Sequence, residues 1–258
     1  MIGDPGLRAL AAAALDLGAC SLRLLPVVAL SPFLGGPMLP PAARAALALT
    51  LGGVARAALG AGFPAGQSFL AVAASELALG AVLAFVAALP VEAARGAGRL
   101  IDTLRGATLG ELHVAPIRQR ETAVGDLLSQ WTVVLAAWAG ADRLLVAALL
   151  DTYRSLPVGA AVGGTLRAGE ALAAASGLLS AALSLGAPAA AALLCADLAL
   201  SMASRLAPRS ALLDAAPPVR AALGVAAVAF PAAAIGGRLV EMAALSAGVV
   251  GRLAGGAP

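Results

Sequence analysis

Few side chains in this sequence could do chemistry, and their spacing argues against most of it. His113 is the single histidine, and Cys20 and Cys195 are the two cysteines. A metal centre needs three or four such ligands converging. The cysteines instead sit far apart in apolar surroundings and read as small buried hydrophobes. A serine nucleophile needs a base on a facing element. Gly66-Gln67-Ser68 is the nearest serine motif, but His113 lies in a polar segment with nothing to orient it. Gly60-Ala61-Gly62 and Gly96-Ala97-Gly98 lack the third glycine and the strand context of a nucleotide loop. No catalytic set, cofactor or metal is expected, and the chain is read as not an enzyme.

Two acids carry more information. Glu76 and Asp197 lie within apolar stretches, where an ionisable group is costly to bury. One reading makes them a polar pathway or proton relay. The other makes each a buried structural acid, held by an arginine or a helix end in this chain or a neighbour. The residues alone leave both open; the structural role is the expectation carried forward.

The elements that position these acids follow from composition. The chain has 258 residues, 61% of them hydrophobic and only 12% charged, with a mean hydropathy of +0.94. A soluble domain carries roughly 25% charged residues, so lipid or partner chains must cover much of the surface. Every basic residue is arginine, the net charge is only +3, and aromatic content is 3%. A clustered basic face with aromatic platforms is missing, so no nucleic-acid partner is expected. Met1-Ile2-Gly3-Asp4-Pro5 lacks the basic region of a cleaved signal peptide, so the first apolar stretch is expected to be retained.

Apolar periodicity and breakers predict an all-α, membrane-associated protein with broken and kinked helices. Residues 6–34 form one helix, bent or broken near Pro26. Residues 35–41 turn. Residues 42–59, bounded by Arg44 and Arg56, read as a short or interfacial helix. Residues 67–90 are helical and stop at Pro90. Residues 91–126 are the only long polar segment; a helix reaching about Gly106 places Arg95, Arg99 and Asp102 on one face, and a loop follows. Residues 127–150 are apolar, 156–164 loop, 171–196 form a long uncharged run kinked at Pro188, and the last apolar stretch is 221–251. Most of these helices carry an ionisable group, a proline or a glycine cluster, which suits helices that face other protein. Ser75-Glu76-Leu77-Ala78-Leu79-Gly80 and Ala196-Asp197-Leu198-Ala199-Leu200-Ser201 also form a weak internal echo.

Four stretches together resemble the FliR/SctT family of type III export apparatus proteins. Glu76-Leu77-Ala78-Leu79-Gly80 leads to Pro90-Val91-Glu92. Gly98-Arg99-Leu100-Ile101-Asp102-Thr103-Leu104-Arg105-Gly106-Ala107 is similar to the family's G-x-x-I-D-x-Q-R-G-A, with Leu104 for the usual Gln. Gly140-Ala141-Asp142-Arg143 is followed by Asp151-Thr152-Tyr153-Arg154-Ser155-Leu156-Pro157-Val158-Gly159, which resembles the family's S-[FY]-x-x-L-P-x-G. Ala196-Asp197-Leu198-Ala199-Leu200 runs on to Pro208, Pro218 and Arg220. Ala211, Leu213, Ala216 and Arg220 depart from the family's Asn, aromatic, Gly and Lys. Arg105-Gly106-Ala107 is closer to injectisome members than to flagellar ones, which more often read Gln-Met-Gly.

The resemblance implies one helical export-gate subunit over 1–258, similar to a fusion of its smaller FliP/SctR-like and FliQ/SctS-like partners. It implies assembly with those subunits and a FlhB/SctU-like switch protein in the bacterial inner membrane, among lipid, with unfolded secreted proteins as cargo. It also implies that residues 106–124 plug the closed channel, with Leu109, Leu112 and His113 as candidate plug residues. By residue type alone that segment reads as an ordinary surface loop. The rival reading is a secondary transporter or small-solute channel that uses Glu76 and Asp197.

Overall fold

A computed structural model describes residues 5–64, 66–105, 122–160, 168–206, 222–226, 229 and 232–253. The described residues are helical with turns and contain no strand, so the all-α expectation holds. The helices are α1 (Pro5–Leu30), α2 (Pro41–Leu59), α3 (Phe69–Leu104), α4 (Ala123–Trp138), α5 (Ala141–Ser155), α6 (Ala168–Leu206) and α7 (Ala232–Leu253). In apolar surroundings an unpaired backbone group is expensive, and a helix pairs its own.

That cost decides the fate of the prolines. Pro90 does not end the helix as expected from sequence: α3 runs on to Leu104 with Pro90 inside it. Pro26 and Pro188 likewise lie inside α1 and α6. A proline removes one N–H and crowds the carbonyl a turn earlier. Ending the helix in an apolar setting would expose several such groups instead. The true breaks fall at glycines with left-handed backbone. Gly35 (φ +90°) joins the two short turns that follow α1, Gly60 (φ +66°) closes α2 with its N–H on Arg56 O, and Gly140 (φ +78°) separates α4 from α5.

Helix α2 matches the helix expected over 42–59. Its 19 residues span about 28 Å at roughly 1.5 Å per residue, close to the hydrocarbon thickness of a bilayer. Its arginines sit near the ends: Arg44 Nε donates to Leu39 O at 2.7 Å, and Arg56 Nε lies 3.4 Å from Asp16 Oδ2. Among the described residues, five helices are long and apolar enough to cross a membrane, and α4 with α5 could form one broken span more. This is a membrane protein by length and composition.

The chain divides into two compact units, Met1–Leu89 with Ala136–Ser176 and Ala243–Pro258, and Pro90–Leu135 with Gly177–Met242. The first has a core of Leu24, Val27, Leu83, Leu145, Leu149 and Val250. There α2 crosses α1 at Gly52, where a Cβ would stand 3.0 Å from Ser21 Cα. In the second unit, α6 meets α3 at Gly186, whose Cβ would lie 3.3 Å from Leu100 Cδ2.

Candidate functional site

Glu76 lies in the first unit, fully buried on α3. Opposite it is Arg23, fully buried on α1. The pair is bidentate: Arg23 Nε donates to Glu76 Oε2 at 2.7 Å and Nη2 to Oε1 at 3.1 Å. A guanidinium has five N–H donors, and the other three are also used. Nη1 donates to Thr152 O and Oγ1, each at 3.1 Å, and Nη2 to Leu156 O at 2.9 Å.

Thr152 and Leu156 stand at the C-terminal end of α5, where a positive charge is favourable, and the Thr152 carbonyl also accepts Leu156 N at 2.9 Å. Tyr153 adds its ring face 4.2 Å from the guanidinium carbon, and its hydroxyl donates to Cys20 O at 2.5 Å. Glu76 Oε1 accepts a further bond from Gly159 N at 2.9 Å. Gly159 has φ +80°, and a Cβ there would press within 2.7 Å of Pro64 Cγ. One carboxylate and one guanidinium thus tie α1, α3 and the turn after α5 together.

Close helix approach makes the pair possible. Gly80, one turn beyond Glu76, faces α1, and a Cβ there would sit 2.2 Å from Arg23 O. The Glu-x-x-x-Gly spacing therefore brings the α1 backbone near enough for a short, bidentate contact.

Among the described residues of the second unit the fully buried acid is Asp102, near the end of α3. Its Oδ2 accepts from Val124 N at 2.7 Å, in the first turn of α4. Its Oδ1 makes no directed hydrogen bond but lies 2.5 Å from Arg105 Nη2 as an ion pair. A glycine again allows the approach: a Cβ on Gly98 would stand 2.4 Å from Gly125 Cα. The one-face arrangement expected on α3 is graded, since Asp102 is buried, Arg95 half-buried and Arg99 exposed.

Asp197, the other singled-out acid, is half-buried on α6. Pro157 is exposed in the turn that carries Gly159. Leu109, Leu112, His113, Gly106, Pro208, Pro218 and Arg220 lie outside the described residues. Arg23 carries no role in the sequence reading, and Thr152 enters it only as a position of a family motif. The signal for Arg23 was present: an arginine deep in an apolar helix needs an acid partner.

A model of the family described as bacterial export proteins, family 1, matches residues 15–244. The chain belongs to that family, the FliR/SctT family whose motifs it carries. It is 35% identical over 92 residues to the secretion system apparatus protein SsaT of Salmonella typhimurium, covering 36% of each chain. It is 32% identical over 83 residues to Yop proteins translocation protein T of Yersinia pestis, covering 32% of each chain, and matches that of Yersinia pseudotuberculosis equally. The aligned stretches thus span about a third of these relatives.

Proposed function

We propose that the chain, over residues 1–258, is one helical subunit of the type III protein export gate in the bacterial inner membrane. It assembles with SctR/FliP-like and SctS/FliQ-like subunits, beside an SctU/FlhB-like switch protein, into the channel for unfolded secreted proteins. The family match over residues 15–244 carries this reading. The exposed apolar side chains support it. Trp138 is 88% exposed, Met38 85% and Leu70 78%, and such surfaces suit lipid and packed partner helices. The names of the similar proteins, a secretion apparatus protein and a translocation protein, favour an injectisome.

Within this reading the 106–124 stretch holds the channel plug, with Leu109, Leu112 and His113 at its obstruction; its last residues, Ala123 and Val124, belong to the first turn of α4, which leaves 106–121 as the part free to plug. Burial of each leucine contributes roughly 1.5–3 kcal/mol. Losing both shifts the closed-to-open ratio by about two to four factors of ten if the losses add. The test is native expression and purification of the assembly, wild type and Leu109→Ala with Leu112→Ala. The wild-type chain is expected with SctR- and SctS-like subunits in one stable complex. The double variant should assemble equally and leak small ions or dye more in reconstituted bilayers. A well-behaved monomer without those subunits would overturn the gate reading. An intact double variant with unchanged leakage would return the segment to an ordinary loop.

A further inference from the structure

Asp102 holds two points of the chain at once. Arg105 is the residue after the last turn of α3, and Val124 lies in the first turn of α4. The connection from α3 to α4 runs from Arg105 to Thr122. One fully buried carboxylate therefore faces both departure and return, with Oδ1 on the Arg105 guanidinium and Oδ2 on the Val124 amide.

Three observations make this more than a chance contact. The first amides of a helix lack intrahelical acceptors and favour an anion. Helices ordinarily meet that need with the Ser, Thr, Asp or Asn just before the first turn. Thr122 occupies that place here, yet its buried Oγ1 has no hydrogen-bond partner. The cap comes from Asp102, 22 positions earlier in sequence.

Second, the backbones touch. A Cβ on Gly98 would lie 2.5 Å from Gly125 N, and one on Gly125 would lie 3.2 Å from Arg95 O. The start of α4 is thus laid against α3 from Arg95 to Asp102. Third, the Arg105 stem is itself packed, since a Cβ on Gly224 would stand 2.9 Å from Arg105 Cδ.

We propose that Asp102 is a positioning residue that staples the entry and exit of the 106–121 segment, so that whatever the segment does, it does from a fixed base. The staple is read from the described residues; its consequence for transport rests on the plug reading above. Because the carboxylate acts on one backbone amide and one side chain, its loss should loosen the base without melting α4.

The test is residue-resolved hydrogen exchange in the assembled, membrane-reconstituted complex, comparing wild type, Asp102→Ala, Asp102→Asn and Arg105→Gln. With Asp102→Ala the Val124 amide should exchange about ten to a hundred times faster, as expected for a lost hydrogen bond to a charged group. Leu128, deeper in α4, should be unchanged. Arg105→Gln should leave Val124 protected. A second readout places spin labels at Thr103→Cys and Ala123→Cys, both exposed, after Cys195→Ser. A narrow distance distribution should broaden with Asp102→Ala. Should Asp102→Ala fail to assemble, Asp102→Asn carries the test, because its weaker neutral acceptor should still speed Val124 exchange measurably. Unchanged Val124 exchange, or acceleration shared equally by Leu128, overturns the staple. A loosened base with unchanged leakage would leave the staple standing and count against the plug.

Discussion

The Glu76 and Asp102 centres solve one problem with the same helix and different partners. Each is a fully buried acid of α3, each accepts a backbone N–H from a distant segment, and each has a glycine four residues away. Gly80 follows Glu76 and Gly98 precedes Asp102; both press against foreign backbone. The difference lies in the cation. Arg23 reaches Glu76 from another helix and spends all five donors on α3 and the C-terminal end of α5. Arg105 directly follows the same helix, three residues on, and its side chain is 13% exposed. The Glu76 centre is therefore a knot that several helices share. The Asp102 centre is a helix cap with a local counter-ion.

The sharpest way to break this comparison is to remove each cation. Leaving a buried charge unpaired costs roughly 3–5 kcal/mol, so Arg23→Ala should sharply lower complex yield and detergent-unfolding stability. Arg105→Ala should cost less, about 1.5–3 kcal/mol, because Asp102 keeps the Val124 amide and the positive end of α4. Equal losses in SDS-titrated unfolding of the assembled complex would sink the distinction. If Arg23→Ala or Glu76→Ala assembled normally but abolished proton-coupled transport, the structural role of this pair would fail.

The glycines probe what the centres share. Gly80→Ala and Gly98→Ala should each cost about 1–3 kcal/mol by forcing packed backbones apart. Comparable shifts in the complex's thermal unfolding midpoint are expected. A tolerated alanine at either position would show that close approach matters at only one centre.

The smallest expected effect refines the knot alone. Tyr153→Phe keeps the ring over Arg23 but removes the hydroxyl bond to Cys20 O, worth about 0.5–1.5 kcal/mol. A loss as large as that of Arg23→Ala would make the tyrosine hydroxyl, rather than the guanidinium, the centre of the knot.

Composition and breaker residues determined the all-α membrane class, the turn near 35–41 and the loop beginning at Leu156, because these depend on local hydropathy and on glycine's access to left-handed backbone. The ordered motifs determined the family, since their spacing survives in the linear chain. The sequence could also show that Glu76 and Arg23 were each costly in an apolar helix. Their pairing, across 53 positions, belonged to tertiary structure, as did the choice of Asp102 over Thr122 to cap α4. Local rules misjudged Pro90 for the same reason. In water a proline readily ends a helix because solvent satisfies the freed groups, whereas apolar surroundings favour continuing through it. Which acid meets which donor depends on how closely helices approach, and two glycine contacts that only the folded chain creates decide that.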